Sequence, residues 1–425
     1  MARDAAEGNG ARGIAVDSSG NIYVTGDGDE GIYTIKYDSA GNEFPDQFGL
    51  HTGARDGSSI VLNSSANVYV VGNGLDIIKY LPDGTVDWAW DRSGFQSFAV
   101  DSSENVYVAG LTDDGNFLAA KYLPDGTVAT GWPQYYDGCE WGNTMGLQVD
   151  SAGNVYVLGS GTDVVGPDID PSEYYSVTLK YNAGGELLWH NETPLSPNSY
   201  PNVMELDSAG NVYVSGYWSP GIDEENDTFI IKYDTDGNKQ WTVSYDYGNY
   251  GYRDIPMGIS MDPSGDYLYV VGKNKSSFGS DLTVVKYDAV DGTMLCDARY
   301  AGLEIHDFDK HQAVDQSGNI YVAASTAGGD NRDYVTVRYN RDCNAQGELD
   351  LAWVMTYDGG YGDFVYGMAV DSADNVYVTG GSYSPKSGFG YATVKYSQGE
   401  GDGSVALPDS VNLLVAGEVI DSTPR

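Results

Sequence analysis

The chain has 425 residues, of which 41% are hydrophobic, so it can bury a large core. It carries 22 lysines and arginines against 62 aspartates and glutamates, a formal net charge of −40. A surface this acidic repels nucleic acid and anionic membranes and favours cations and solubility, and no run of about eighteen apolar residues offers a membrane span. We therefore expect neither a nucleic-acid partner nor membrane insertion.

A short motif recurs eight times along the chain. It reads Asp-Ser-Ser-Gly-Asn-Ile-Tyr-Val at residues 17–24 and returns at intervals of 38 to 57 residues. Its copies begin at Asp17, Asn63, Asp101, Asp150, Asp207, Asp262, Asp315 and Asp371. Self-similarity at periods of roughly 40 to 50 residues is typical of propellers and arrays.

The first repeat predicts four short strands. Residues 13–17 form an apolar strand, residues 21–26 alternate after a turn, residues 33–37 form a third strand, and a fourth begins at Asn42. Runs of β-branched and aromatic residues bounded by Gly, Asp, Asn and Ser are typical of antiparallel hairpins. Tyrosines equivalent to Tyr23 are expected in equivalent positions on strand two.

The third and fourth strands are also regular. An apolar residue, a basic residue and Tyr recur in strand three, and the basic residues are Lys36, Lys79, Lys121, Lys180, Lys232, Lys286, Arg338 and Lys395. Strand four often carries tryptophan, at Trp88, Trp189, Trp241 and Trp353. We expect the basic side chains to be partly buried between blades, where they need oxygen partners, either carbonyls or the Asp17-type carboxylate.

Four antiparallel strands repeated eight times predict an all-β chain, a single eight-bladed β-propeller. A linear solenoid is the alternative, although its rungs are usually shorter. The repeats start near residues 13, 58, 96, 145, 202, 257, 310 and 366. The propeller is expected to span residues 1–403.

The last repeat lacks an internal fourth strand. Residues 398–404 are rich in glycine and acidic residues, and residues 404–425 form a tail. Val411, Leu413 and Val415 have the β-branched or apolar character of a strand. This segment either closes the eighth blade of its own chain or adds to the open edge of another subunit.

The acidic loops between strands two and three are the candidate metal ligands. Calcium takes several oxygen ligands, and carboxylates two residues apart can converge on one ion. The candidates are Asp27, Asp29, Asp168, Asp170, Asp223 and Asp227. Solvated acidic loops without an ion are the alternative. No other cofactor is expected.

Three cysteines leave one unpaired if a disulfide forms. Cys296 begins the fourth strand of repeat six, and Cys343 lies in the turn before the fourth strand of repeat seven. Both are expected on the same face of adjacent blades, so a disulfide between them is geometrically feasible. Three free thiols, Cys139 included, are the alternative.

The repeated residues resemble the SBBP-type β-propeller repeat, a relative of the NHL repeat. The similarity lies in Asp-x-x-Gly-Asn-x-Tyr-Val-x-Gly, then Thr-Val-Lys-Tyr-Asp, then Gly-x-x-x-Trp, and extends over about residues 13–396. The resemblance implies a propeller of a secreted or surface protein and brings no family-wide catalytic motif. The family name suggests seven blades, which is the alternative to the eight repeats counted here.

Two functions are compatible with these features. The first is a non-enzymatic extracellular or cell-surface β-propeller, a structural or adhesive module whose partners are other protein subunits or surface glycans and which can form a homo-oligomer or filament. The alternative is a polysaccharide-binding or polysaccharide-cleaving propeller. Its candidate sugar-stacking side chains are Trp132, Tyr135, Tyr136, Trp141, Tyr217 and Trp218.

The chemistry of the sequence favours the first function. None of the four histidines, His51, His190, His306 and His311, lies in a context that suggests a Ser-His-Asp triad. No catalytic residue is singled out. No signal peptide is visible, so we expect this to be a trimmed or mature chain.

Overall fold

The computed structural model describes residues 10–28, 31–45, 47–52, 57–72, 77–90, 95–138, 140–162, 174–193, 199–218, 228–246, 254–276, 279–300, 311–326, 331–384, 388–397 and 410–415. These residues form β-strands and turns, with no helix among them. The chain divides into two compact units, Met1–Asp91 with Cys296–Arg425, and Arg92–Leu295.

The first unit holds blades one, two, seven and eight. Blades one and two consist of β1 (Ala11–Val16), β2 (Ile22–Gly28), β3 (Gly31–Tyr37), β4 (Gly49–Thr52), β5 (Gly57–Leu62), β6 (Val68–Gly72), β7 (Ile77–Tyr80) and β8 (Val86–Trp90). Blades seven and eight consist of β25 (Gln312–Val314), β26 (Ile320–Ser325), β27 (Tyr334–Cys343), β28 (Leu349–Tyr357), β29 (Asp363–Val370), β30 (Val376–Ser384), β31 (Gly388–Ser397) and β32 (Ser410–Val415).

The second unit holds blades three to six. Blades three and four consist of β9 (Phe95–Val100), β10 (Val106–Leu111), β11 (Phe117–Tyr122), β12 (Gln134–Tyr136), β13 (Glu140–Val149), β14 (Val155–Thr162), β15 (Tyr174–Tyr181) and β16 (Leu187–Thr193). Blades five and six consist of β17 (Ser199–Leu206), β18 (Val212–Trp218), β19 (Thr228–Tyr233), β20 (Lys239–Tyr245), β21 (Asp254–Met261), β22 (Tyr267–Ser276), β23 (Gly279–Asp288) and β24 (Met294–Tyr300), whose last residues belong to the first unit.

Each blade is a four-stranded sheet in which the strands follow chain order. The pairings are antiparallel, as between β1 and β2 or β2 and β3. This is the eight-bladed, all-β propeller predicted from the repeats, and the seven-blade alternative is set aside. The second strand of a blade is buried on both faces, as Val68–Gly72 illustrates.

The Tyr23-type residues occupy equivalent, buried positions on the second strands, as expected. They are Tyr23, Tyr69, Tyr107, Tyr156, Tyr213, Tyr269, Tyr321 and Tyr377, none more than 1% exposed. Aliphatic residues fill the opposite face of the same strands, as Val155 and Val157 do. Both faces of these strands are therefore buried, so the alternating pattern is apolar or aromatic throughout.

Blade one differs from the prediction in its fourth strand. Near the expected start at Asn42, Glu43 forms an isolated bridge with Tyr37 and Phe44 N donates to Lys36 O, but the strand itself is Gly49–Thr52. Pro45 follows this bridge and has no N–H to donate to a ladder. The chain consequently leaves the sheet and returns at Gly49.

The eighth blade takes its fourth strand from the C-terminal segment. The backbone of β32 pairs antiparallel with β31, with Val411 opposite Tyr396, Leu413 opposite Val394 and Val415 opposite Ala392. In this structure the segment therefore completes a blade of its own chain. Within the part of the chain that the structure describes, no helix is long and apolar enough to cross a membrane.

Candidate functional site

The repeated aspartate of the first turn is bonded within its own blade. In blade one, Asp17 Oδ1 accepts hydrogen bonds from Ser19 N and Asn21 N, both at 2.9 Å. Asp17 Oδ2 accepts from Asn21 Nδ2 at 2.8 Å and from Tyr23 OH at 3.1 Å. Burial alone would raise the pKa of Asp17, but these hydrogen bonds outweigh it and lower the pKa. The residue therefore fixes the turn to strand two.

Several of the repeated lysines reach the next blade, whereas Lys79 Nζ lies 3.0 Å from Asp87 Oδ2 of its own blade. In the second unit, Lys180 is 5% exposed and its Nζ donates to Thr235 O at 2.8 Å. Lys232 Nζ donates in the same way to Ala289 O at 2.7 Å. Both acceptors lie in the turn between strands three and four of the following blade. The carbonyl alternative is therefore the one found for these lysines.

The same contact occurs in the first unit. Lys36 Nζ donates to Pro82 O at 3.4 Å, and Lys395 Nζ donates to Ser39 O at 2.9 Å. The second of these bonds joins blade eight to blade one. Asp17 is occupied by Asn21 and Tyr23, so the expectation that it could serve as the acceptor for Lys36 finds no support in these bonds.

Of the predicted calcium ligands, one lies among the described residues. Asp27 is 7% exposed, and its Oδ2 accepts from Arg12 Nε at 3.0 Å and lies 3.0 Å from Arg12 Nη2. Its carboxylate is thus engaged by a guanidinium. The other candidates, Asp29, Asp168, Asp170, Asp223 and Asp227, lie outside the described residues.

A different set of carboxylates converges in the first unit. Asp333 immediately precedes β27, Asp358 follows β28, and Asp363 begins β29. One carboxylate oxygen from each lies within 4.8 Å of the others. Asp363 is fully buried, Asp333 is half-buried and Asp358 is exposed. We name these three residues the acidic cluster.

Backbone groups hold the acidic cluster in place. Gly359 N donates to Asp363 Oδ2 at 2.6 Å, and Gly360 N donates to Asp358 Oδ1 at 2.7 Å. Asp333 N donates to Thr326 Oγ1 at 2.9 Å. A Cβ at Gly359 would lie 2.7 Å from Asp363 Oδ1, so glycine is required for this close approach.

The electrostatics of the acidic cluster oppose full ionisation. Burial is the largest cause that raises the pKa of Asp363, to about 6. Repulsion from Asp333 and Asp358 raises this pKa further, whereas hydrogen bonds from Ser382 and Gly359 lower it. Burial also raises the pKa of Asp333, with a contribution from Asp358. Asp333 Oδ1 and Asp363 Oδ1 are buried and have no hydrogen-bond partner.

Sequence reasoning overlooked the acidic cluster because it examined single loops. Asp333 does end a loop between strands two and three, but Asp358 and Asp363 lie in the connection from blade seven to blade eight. In a meander of four strands these two kinds of connection lie at the same end of a blade. A search that combined their acidic residues could have found the cluster.

The structure joins Cys296 and Cys343 in a disulfide, with an Sγ–Sγ distance of 2.09 Å. Both residues belong to the first unit. Cys296 lies on β24, and Cys343 ends β27. Cys139 lies outside the described residues.

Most of the candidate sugar-stacking aromatics are buried or pack against other rings of the fold. Trp132 is buried and its Nε1 donates to Ala183 O at 3.3 Å, and Tyr136 is also buried. Tyr217 stacks on Tyr200, and Trp218 stacks on another ring, Phe229. Tyr135 is 61% exposed, and the side chain of Trp141 lies outside the description.

Comparison with solved structures supports the fold. Sqt1 from Chaetomium thermophilum superposes with a TM-score of 0.59 at 10% identity, over 89% of this chain and 96% of that chain. A protein from Lactobacillus plantarum superposes with a TM-score of 0.51 at 17% identity, over 79% of this chain and 95% of that chain. A eukaryotic initiation factor superposes with a TM-score of 0.51 at 9% identity, over 92% of this chain and 86% of that chain. At such identities the likeness concerns the fold alone.

Comparison of sequences supports the repeat. No curated protein sequence is significantly similar to the chain. Residues 11–33, which are β1, β2 and the start of β3, match the family model described as the SBBP beta-propeller repeat. The resemblance read from the repeated motif is thereby confirmed. The chain is an eight-bladed, all-β propeller whose residues 11–33 match the SBBP beta-propeller repeat.

Proposed function

We propose that the chain is a non-enzymatic extracellular or cell-surface β-propeller, a structural or adhesive module whose partners include further copies of itself, as in a surface filament. Contact is made through the outer strands of its blades. This proposal rests mainly on one observation, the apolar character of those outer strands.

The fourth strand of every blade is the last strand of its sheet. Large apolar side chains are exposed there, with Leu50 45%, Val86 46%, Leu188 49% and Leu351 46% exposed. An edge strand presents unpaired N–H and C=O groups, and soluble proteins usually protect such edges with charge. An edge on which leucine and valine are also exposed favours addition of a further strand.

The repeated polar residues support the same function, because the fold itself occupies them. Asp17 binds Asn21 and Tyr23, and Lys180 binds the turn of the following blade. These recurring residues are thereby explained by contacts within or between blades. The exposed apolar positions on strand four have no such explanation within their blade.

Charge and cysteine chemistry support the location. A net charge of −40 maintains solubility outside the cell and disfavours binding to nucleic acid. Disulfides such as Cys296–Cys343 persist in oxidising compartments. These features agree with a secreted or surface-displayed protein.

Light scattering and negative-stain imaging of the purified chain test the proposal. We expect concentration-dependent oligomers, which Leu188→Lys together with Leu351→Lys abolishes while the far-ultraviolet circular dichroism is retained. Leu81→Lys together with Leu123→Lys, which places the same two charges on exposed turns, is the matched control and leaves assembly intact. A wild-type chain that stays monomeric at all concentrations contradicts self-assembly. A glycan array that captures this monomer supports the sugar-binding alternative instead.

A further inference from the structure

We propose that Asp333, Asp358 and Asp363 bind one hard divalent cation, with Ca²⁺ the best match, between blades seven and eight of the first unit. This site is independent of the function proposed above. It also lies apart from the loops between strands two and three that the sequence pointed to in other blades.

The first argument is hydrogen bonding. Gly359 N and Gly360 N engage one oxygen of Asp363 and one of Asp358. The second oxygen of Asp363, Oδ1, is buried and has no hydrogen-bond partner, and the whole residue is 0% exposed. Asp333 Oδ1 is likewise buried and has no hydrogen-bond partner. Buried carboxylate oxygens are ordinarily hydrogen-bonded or coordinate metals. The unpartnered oxygens therefore point to a ligand that accepts their lone pairs.

The second argument is distance. Calcium binds oxygen at about 2.3–2.6 Å, so two ligands on opposite sides of the ion are roughly 4.6–5.2 Å apart. The three carboxylate oxygens lie within 4.8 Å of one another, inside this limit. Magnesium usually keeps several waters and is bound through one or two carboxylates, whereas calcium takes more protein oxygens. The cluster is therefore better suited to Ca²⁺.

The third argument is charge balance. Around Asp363, the hydroxyl of Ser382 and the amide of Gly359 are the hydrogen-bonding groups, and Asp333 and Asp358 are the charged ones. The neighbouring guanidinium of Arg332 lies over the ring of Phe364, 5.0 Å from its centroid. A divalent cation would neutralise the mutual repulsion of the three carboxylates, which burial makes costly.

A bound cation would join two blades. Asp333 and Asp358 flank strands of blade seven, whereas Asp363 begins blade eight and Ser382 lies on β30 of the same blade. The ion would thus connect elements that otherwise meet through packing and a few hydrogen bonds. Because it binds only the folded chain, it would raise the melting temperature with concentration.

Calorimetric titration of the full, EDTA-treated chain with CaCl₂ at pH 7.5 tests the proposal. We expect one saturable site per chain, and a melting temperature that rises with Ca²⁺. Asp363→Asn should weaken binding at least 10-fold and remove the rise. Asp113→Asn, which removes one exposed carboxylate elsewhere, is the charge-matched control and should leave both unchanged.

A second variant keeps the test decisive if Asp363→Asn fails to fold. Asp358 is exposed, so Asp358→Asn should preserve the fold and still weaken Ca²⁺ binding at least 10-fold. Many weak sites that are equal in the wild type and in these variants would mean a diffuse ion atmosphere and overturn the proposal. A single site that survives both substitutions overturns it as well.

Discussion

At the residue scale, one position of the repeated first turn requires a left-handed backbone. Gly20, Gly153 and Gly265 occupy it with φ of 79°, 79° and 77°, whereas blade two has Ala66 there with φ of 59°. For a residue with a Cβ this conformation costs about 1 kcal/mol or more. The turn is therefore locally strained in blade two.

Replacing Ala66 with glycine should relieve this strain. We expect Ala66→Gly to raise the free energy of unfolding by about 1 kcal/mol, and Gly265→Ala to lower it by a similar amount. No atom lies within 4 Å of a Cβ built at Gly265, so backbone conformation alone is tested. Urea denaturation provides the measurement. Equal stability of both variants and the wild type would contradict the strain.

The buried carboxyl of Asp363 gives a prediction for pH. Its pKa is raised to about 6, so without a cation the folded chain holds this proton more tightly than the unfolded chain does. The contribution of this group to stability is present below the ordinary aspartate pKa of about 3.9 and is lost as pH rises through about 6. In EDTA, Asp363→Asn should therefore gain stability relative to wild type between pH 4 and pH 7.

Scanning fluorimetry at both pH values, with EDTA or with Ca²⁺, measures this difference. With Ca²⁺ at pH 7 the wild type should instead be more stable than Asp363→Asn. The bound ion neutralises the carboxylates of the wild type, whereas the variant has lost one ligand. A difference between the two proteins that is the same at pH 4 and pH 7 in EDTA would show that Asp363 does not titrate as described.

At the element scale, a row of side chains crosses blade four and contacts blade five. In blade four, Tyr156, Lys180 and Trp189 are direct cross-strand neighbours on β14, β15 and β16. Trp189 Nε1 donates to Thr235 O at 3.0 Å, the acceptor that Lys180 also uses. A Cβ at Gly237 would lie 2.8 Å from the Trp189 ring, so the glycine of the following turn makes room for it.

Removing the ammonium from this row should weaken the fold. We expect Lys180→Met to lower the free energy of unfolding by about 1–2 kcal/mol, since it deletes a hydrogen bond from a charged donor that is largely buried. Lys239→Met, on the exposed strand β20, is the control and should change stability by less than about 0.5 kcal/mol. Denaturant titration separates the two. Equal losses of stability in the two variants would mean that the hydrogen bond of Lys180 does not contribute to stability.

The C-terminal strand gives the second prediction at this scale. Because β32 pairs with β31, deleting residues 404–425 exposes the backbone of β31. We expect a lower melting temperature and a greater tendency to aggregate, since an open edge strand invites pairing with other chains. If the strand instead crosses between subunits, the truncated chain stays folded but forms no polymer. A truncated chain as stable and as oligomeric as the parent would make residues 404–425 a simple linker.

At the scale of the whole molecule, the repeats predicted the fold well because each copy carries its own turn and strand signals. The start of β4 at Gly49 was missed because Pro45, which has no N–H to donate, follows the bridge at Glu43. Blade three makes a similar detour between its bridge at Val128 and β12, which begins at Gln134. The acidic cluster was missed because its members meet only after blades seven and eight pack together. Local sequence patterns thus predicted the blades. The candidate site could not be predicted in this way, because its three aspartates come together only in the folded chain.

The central functional claim is that the outer strands of the blades form the contacts between copies of the chain. Hydrogen exchange at low and high protein concentration tests this claim most directly. We predict that amides of β16 and β28 gain protection as concentration rises, because these strands have a free edge and carry Leu188 and Leu351. Amides of β14 and β30, already paired on both sides, should not change. Protection that is independent of concentration, or that increases only away from the fourth strands, would contradict the proposed mode of assembly.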